Sequence, residues 1–246
     1  TSSLLSMNAF EPLFWLGCAL VIARILRTGD SRLWLAFGVL AGVGLENKHS
    51  TLFFGAAVAA AVVLTPLRRE LAKRWIWLGL ALAALLFLPN LLWQAAHGFP
   101  TLEDLENVRR SGKNVVLPPL PFVRQQVMMI SPLLAPLWIG GLVSLLVGRL
   151  RAFRALGVTY VALLTLFIAM HAKDYYVAPI YPVLMSAGAV ALERWLDRLS
   201  WTRNRAWPRL LAAAWLVVCG AVVVPLVTPL LSPERLLAYR RWLGVE

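Results

Sequence analysis

The chain is dominated by apolar runs of about 17–25 residues that recur from one end to the other with almost no charge inside them. A helical run of this length matches the hydrocarbon core of a bilayer. Of the 246 residues, 60% are hydrophobic and only 15% are charged, which is too little charge to cover a soluble domain of this size. The runs therefore predict an all-α, polytopic membrane protein, with residues 1–246 forming a single transmembrane domain.

The positions of these runs predict about eight transmembrane helices. The predicted spans cover residues 9–26, 31–46, 50–66, 75–93, 127–148, 155–171, 177–195 and 209–231. The second and third are short, so we expect one of them to be tilted, half-buried or partly re-entrant. Tryptophans near the predicted helix ends fit the aromatic belt at a membrane interface.

The basic residues are concentrated in alternate loops. A net charge of +12 would indicate a nucleic-acid partner in a soluble protein, but here the arginines and lysines form short clusters between apolar runs. These clusters lie around residues 24–32, 68–74, 149–154 and 194–209. Basic loops face the cytoplasm, so both ends of the chain are expected on the outer side, and no nucleic-acid partner is expected. An odd number of spans would then precede Thr1 in a protein that starts in the cytoplasm.

Most of the other polar residues fall in the four outward segments. These segments are 7–12, 45–50, 89–114 and 171–182. Ionisable groups at a membrane boundary are costly, so their concentration on one face predicts a site. Lysine and arginine can bind a phosphate, and tyrosine can contact a sugar or a prenyl chain. The candidate binding residues are Lys48, Arg109, Arg110, Lys113, Lys173, Tyr175 and Tyr176. This mixture favours an amphiphilic, anionic lipid as the ligand.

Simpler roles compete with a site role for several of these groups. Glu11 would also complement the dipole of the helix that it begins. Lys48 could simply extend its ammonium to the membrane interface. Basic residues are otherwise concentrated in the loops of the opposite face, however, so a lysine on the outer face favours a functional role. The three histidines lack metal-ligand spacing, so no metal site is predicted. Glu103, Asp104 and Glu106 are typical of the solvated face of a short amphipathic helix.

Several outward segments resemble bacterial members of glycosyltransferase family 39, the polytopic class that includes protein O-mannosyltransferases and the aminoarabinose transferase that modifies lipid A. The resembling stretches read SMNAFEPLFW at 6–15, GLENKHS at 44–50, LPNLLWQ at 88–94, HGFPTL at 97–102, GKNV at 112–115, and KDYY with APIYP at 173–182. The resemblance extends from about residue 6 to residue 194.

The resemblance implies a GT-C membrane fold in a bacterial inner membrane and a polyprenyl-phosphate-linked sugar donor. Transfer to an acceptor hydroxyl would occur at the outer, periplasmic face with inversion at the anomeric carbon. Lys48 would match the lysine of the family's Thr-Lys-Gly-like turn near the donor phosphate. Tyr176 and Pro179 would match its Tyr-x-x-Pro segment, and Arg109 or Arg110 a basic position in the loop over the cavity.

The family's acidic residues for acceptor activation lie in its first outer loop, which would precede this chain. We therefore expect the chain to be the C-terminal portion of a larger enzyme and to be inactive alone. The catalytic base is left unassigned, with Glu11 as a weak match to an acidic residue at an outer helix end. A divalent metal ion is left open as a cofactor. A transporter of a lipid-linked sugar and a non-catalytic membrane scaffold are the alternative functions.

Overall fold

The computed structural model describes residues 7–110, 117–198, 206–228 and 230–243, except for the side chains of 105, 108, 109 and 227. These ranges are helical and contain no strand. The α-helices are α1 (Met7–Thr28), α2 (Trp34–Asn47), α3 (Ser50–Leu64), α4 (Arg74–Ala96), α5 (Pro100–Arg110), α6 (Pro119–Ile130), α7 (Ala135–Leu146), α8 (Arg154–Ala169), α9 (Tyr181–Leu196), α10 (Trp207–Val227) and α11 (Pro233–Trp242). Short 3-10 helices cover Ser31–Leu33, Pro66–Ala72, Pro132–Leu134, Arg151–Phe153 and Asp174–Ile180.

Five helical segments of the described ranges are long and apolar enough to cross a membrane. They are Met7–Thr28, Arg74–Ala96, Arg151–Ala169, Asp174–Leu196 and Trp207–Leu226. The number becomes seven if each of two bent helix pairs is one span. The remaining predicted span corresponds to α2, whose 14 residues are about 21 Å long and shorter than the hydrocarbon core. The predicted helical membrane bundle is confirmed, with this smaller number of full-length spans.

Prolines interrupt two of the predicted spans. The span expected at 127–148 is wrong as one straight helix, because it bends by 93° between α6 and α7. Ser131 adopts φ +99° immediately before Pro132, and a residue that precedes proline is disfavoured in helical geometry. The span expected at 50–66 ends at Leu64 and bends by 100° into the 3-10 helix that begins at Pro66. The expected amphipathic helix around Glu103 is confirmed as α5.

Glycines allow two pairs of helices to pack backbone against backbone. A Cβ atom on Gly38 of α2 would lie 2.2 Å from the carbonyl oxygen of Gly79 in α4, and one on Gly79 would lie 2.2 Å from the carbonyl oxygen of Trp34. α7 and α9 meet similarly. A Cβ atom built on Gly141 or on Gly188 would lie 2.0 Å from a backbone oxygen of the other helix. Helices in a membrane associate through such small residues because lipid gives no hydrophobic drive.

The two ends of the bundle differ in their polar chemistry. At the basic end, the indole N–H of Trp34 and the ammonium of Lys73 both donate to the buried carboxylate of Glu70, at 3.3 and 2.7 Å. Lys73 also donates to Ser31 at 2.7 Å, which ties the start of α2 to the start of α4. The opposite ends of the same helices carry the outward segments predicted to form the site. Between the two ends the core is apolar and aromatic, with Trp15 stacked on Phe54.

We expect Gly79→Ala to lower the free energy of unfolding of the purified protein by about 1–3 kcal/mol, because the new methyl group would press on the backbone of α2. The thermal midpoint should fall accordingly. Gly55→Ala is the matched control, since nothing lies within 4 Å of its ideal Cβ and alanine is the better helix former. Thermal unfolding in detergent, followed by tryptophan fluorescence, measures the difference. Equal midpoints for the two variants would contradict the close approach of α2 and α4.

Candidate functional site

The centre of the candidate site is an ion pair between the turn that ends α2 and the start of α1. The Nζ atom of Lys48 donates to the Oε2 atom of Glu11 at 2.7 Å and to the Oδ1 atom of Asn8 at 2.9 Å. Ser50 donates its hydroxyl to the other carboxylate oxygen of Glu11. The side chains of Lys48 and Glu11 are only 12% and 4% exposed. Both charges are therefore largely removed from solvent and hold each other in place.

The local backbone positions Lys48 for this contact. α2 ends at Asn47, and Lys48 follows it in an extended conformation (φ −162°, ψ 130°), which turns its side chain away from the α2 axis. Asn47 donates to the carbonyl oxygen of Met7 at 2.9 Å, a second bond between this turn and the start of α1. His49 and Glu46 both contact Asn90 near the end of α4. The turn at 46–49 is thus anchored to two different helices.

Tyr176 forms the aromatic wall of the site. It lies in the 3-10 helix Asp174–Ile180, and the ammonium of Lys48 sits 4.9 Å from the centre of its ring. This distance permits a cation–π interaction. The ring also packs edge-on against Phe167 and against Tyr175, which is exposed. Segments far apart in the sequence therefore meet at one point, and the structure brings together three of the predicted binding residues, Lys48, Tyr175 and Tyr176.

The other predicted binding residues are more dispersed. Lys173 immediately precedes the 3-10 helix of Tyr176, so it lies at the edge of the same segment. Arg110 is exposed on α5 and forms an ion pair with Glu106 one turn earlier, at 2.9 Å. The side chain of Arg109 and all of Lys113 lie outside the described residues. Their predicted contact with a donor phosphate stays a prediction.

A buried polar network supports the aromatic wall from behind. Gln126 of α6 is fully buried and donates to the backbone oxygen of Asp174 at 3.1 Å. Its side-chain oxygen accepts from the hydroxyl of Tyr181 at 3.0 Å, and Tyr181 meets the hydroxyl of Tyr160 at 3.2 Å. The network links α6, α8 and α9 to the segment that carries Tyr176. A buried amide is retained in such a place only when it is hydrogen-bonded, as Gln126 is.

Sequence reasoning did not identify Asn8, Ser50 or Gln126, although each contacts the site or its support. No signal distinguished Gln126, because it follows Arg124 and Gln125 in a polar stretch just before the predicted span 127–148. Asn8 precedes Glu11 by three positions, and residues at that spacing share one face of a helix. Ser50 begins α3, and no pattern distinguishes it from an ordinary helix-start serine.

The described residues around the site include few metal-ligating side chains. Within the described ranges, no group of three or more His, Cys, Asp and Glu residues lies close enough to hold one. Both carboxylate oxygens of Glu11 already accept bonds from Lys48 and Ser50. A second acid of the outward segments, Asp104, is exposed on α5. The chemistry available here is that of a lysine, two acids and aromatic rings.

An apolar groove begins beside the turn that carries Lys48. Its volume is about 260 Å³, and it runs between the outer ends of α2, α3 and α4 and the start of α5. Its walls are mostly aliphatic and aromatic and include Leu45, His49, Leu52, Phe87, Leu91 and Phe99. Gln94 holds the start of α5 over this region by exchanging hydrogen bonds with Thr101. The groove can take a hydrocarbon chain whose polar end lies near the site.

A comparison with known families gives a match over the first part of the chain. Residues 1–93 match the model of a family described as dolichyl-phosphate-mannose-protein mannosyltransferase. This match confirms the resemblance over the part of the chain that contains Glu11, Lys48 and the turn between α2 and α3. It agrees with a GT-C type of membrane glycosyltransferase. No curated protein and no solved structure matches the chain.

We expect Gln126→Leu to lower the free energy of unfolding by about 1–3 kcal/mol. The hydroxyl of Tyr181 and the backbone oxygen of Asp174 would each lose their hydrogen bond to the buried Gln126 amide. Gln125→Leu is the matched control, since the neighbouring glutamine is exposed. Trp138 packs 5.2 Å from Tyr181, so its fluorescence reports the same region. A midpoint unchanged from that of the unsubstituted protein would show that the network does not stabilise this segment.

Proposed function

We propose that this chain carries the donor-binding site of a membrane glycosyltransferase that moves a sugar from a polyprenyl-phosphate carrier to an acceptor hydroxyl at the outer membrane face. The family match over residues 1–93 supports the reaction class and the lipid-linked donor. The observation that carries the proposal is the position of Lys48. Its ammonium is held by a buried carboxylate and lies against an aromatic ring. The next residue, His49, lines the apolar groove.

Lys48 would bind the donor phosphate. An ammonium has three N–H donors, and the Asn8 and Glu11 side chains take two of them. The third remains for a phosphate oxygen, while Glu11 and Asn8 keep the ammonium from rotating away. The groove that begins at His49 would hold the first isoprene units of the carrier, because its walls are apolar. Tyr175 and Tyr176 would then lie beside the sugar.

The transfer itself is a displacement at the anomeric carbon. The acceptor oxygen forms a bond to C1 on one face, and the bond between C1 and the phosphate oxygen breaks on the other, which inverts the centre. The electron pair leaves with the polyprenyl phosphate, and Lys48 stabilises the charge that develops there. The proton of the acceptor hydroxyl passes to a carboxylate acting as general base.

Glu11 fits the role of a positioning residue better than that of the base. Both of its oxygens accept bonds from neighbouring side chains, and its side chain is 4% exposed, which leaves no open approach for an acceptor hydroxyl. Its loss would act through Lys48, which would no longer be fixed. Asp104 is exposed on α5, so its carboxylate is open to solvent and to an acceptor hydroxyl.

We expect the double substitution Glu11→Gln and Lys48→Met in the full-length protein to lower sugar transfer at least about 100-fold, because the donor phosphate loses its cation. Replacing both partners leaves no buried unpaired charge, so the protein should still insert and fold. The matched control is Glu70→Gln with Lys73→Met, which removes an ion pair of the same 2.7 Å length at the basic end. Transfer is measured in proteoliposomes with a radiolabelled polyprenyl-phosphate sugar.

Three outcomes of this experiment are informative. Loss of transfer in the Lys48 double variant alone supports the proposed role. Normal transfer in both double variants would remove Lys48 from the mechanism. The unsubstituted protein could instead move the labelled lipid across the membrane without transferring sugar to any acceptor. That result would contradict the transferase and would support a transporter.

The orientation is tested by labelling single cysteines. Asn107 of α5 and Ala152, beside the basic residues at 149–154, are both exposed and lie on opposite predicted faces. The native cysteines, Cys18 and Cys219, are buried and should give little background. An impermeant maleimide should label Asn107→Cys in intact cells and Ala152→Cys only after permeabilisation. The reverse pattern would place the candidate site on the cytoplasmic face and would contradict transfer at the outer face.

A further inference from the structure

A second cavity lies at the basic end of the bundle, away from the candidate site. Its volume is about 650 Å³, and it opens between the end of α1 and the 3-10 helices Ser31–Leu33 and Arg151–Phe153. Glu11 and Arg27 are separated by about 24 Å along the axis of α1, from their 16-residue spacing. The cavity is therefore distinct from the site around Lys48, and nothing in the transfer reaction uses it.

The side of α1 that faces this cavity changes from apolar to basic along its length. Leu20, Ala23, Arg24 and Arg27 all line the cavity, and their spacing places them on one face of the helix. The aliphatic residues lie toward the middle of the helix, and the arginines lie in its last two turns. Phe153 adds an apolar wall opposite them. A glycerophospholipid has the same order, with hydrocarbon chains toward the bilayer centre and a phosphate at its surface.

The two arginines are available to a ligand. Both are exposed, and none of the ion pairs found in the described ranges includes Arg24 or Arg27. The carboxylate of Asp30, which also lines the cavity, accepts the backbone N–H of Arg32 at 3.0 Å and so caps the following 3-10 helix. A guanidinium group binds phosphate oxygens in a planar fork, and two of them on adjacent turns can share one phosphate.

Arginines at this end of a membrane helix also have a simpler explanation. They set the topology and complement the negative end of the helix dipole. Arg68 and Arg69 serve as examples, since both are exposed on the same end of the bundle without lining this cavity. A topological role requires charge alone. It does not require a large recess with an apolar inner wall and a basic rim.

We propose that this cavity binds one anionic phospholipid from the surrounding leaflet, with its phosphate between Arg24 and Arg27 and an acyl chain along Leu20, Ala23 and Phe153. Cavities of this kind, lined by basic residues at the cytoplasmic side of helices, suit anionic headgroups. The lipid would fill the recess between α1 and the neighbouring 3-10 helices and so join them. The inference does not depend on the proposed transfer reaction.

The test measures lipid binding to the purified full-length protein by native mass spectrometry during titration with dioleoyl-phosphatidylglycerol. The unsubstituted protein should bind one molecule saturably. Arg24→Gln with Arg27→Gln should weaken this binding roughly 30-fold, the equivalent of about 1 kcal/mol for each arginine. Arg68→Gln with Arg69→Gln removes the same charge on the same face and should leave the affinity unchanged. Dioleoyl-phosphatidylcholine and glycerol 1-phosphate should each bind weakly, since one lacks the net charge and the other lacks the chains.

A charge-neutral variant separates the cavity from the surface charge. Ala23→Phe fills the recess and leaves both arginines in place, so it should also abolish saturable binding while the thermal midpoint stays close to that of the unsubstituted protein. An equal loss of lipid affinity in the two arginine double variants would show that binding depends only on net charge, and would overturn the proposal. Unchanged binding in Ala23→Phe, or equal binding of the two phospholipids, would overturn it as well.

Discussion

The candidate site depends on the cost of keeping a lysine and a glutamate out of water beside a membrane. Each charge alone would be strongly destabilising there, and the attraction of the pair compensates only when the remaining donors and acceptors are also satisfied. Glu11 receives a bond from Ser50, and Lys48 gives one to Asn8. The start of α1 and the turn between α2 and α3 are therefore joined by polar contacts in addition to the apolar packing of α1 on α2 and α3.

The same constraint explains where backbone irregularities are found. Hydrocarbon cannot hydrogen-bond a free N–H or C=O group, so a break in a helix must be covered by protein or lie near the interface. The 3-10 helix Asp174–Ile180 is irregular at the outer end, and the amide of Gln126 satisfies one of its carbonyl oxygens. That bond keeps the segment carrying Tyr176 against the ion pair. Site geometry and helix packing are thus parts of one network.

Much of the fold could be predicted from the sequence, because span length and apolar composition are local properties. The gathering of Lys48 and Tyr176 at one end also followed from the alternation of charged loops, although their roles stay predictions. Other features depend on contacts that the sequence does not reveal. The span predicted at 127–148 is bent at Ser131. Arg110, predicted to bind a phosphate, forms an ion pair with Glu106 on its own helix. Gln126 hydrogen-bonds to residues 48 and 55 positions away in the sequence.

The glycine contacts also determine which parts of the bundle can move relative to one another. Where Gly38 meets Gly79, and where Gly141 meets Gly188, the backbone of one helix lies directly against the backbone of the other, so a rotamer change alone cannot accommodate sliding. We therefore expect the pairs α2 with α4 and α7 with α9 to resist relative sliding. Contacts through side chains, such as Phe53 of α3 against Phe167 of α8, can repack. If the outer end widens, we expect the change between α3 and α8, where side chains meet, rather than within either glycine-packed pair.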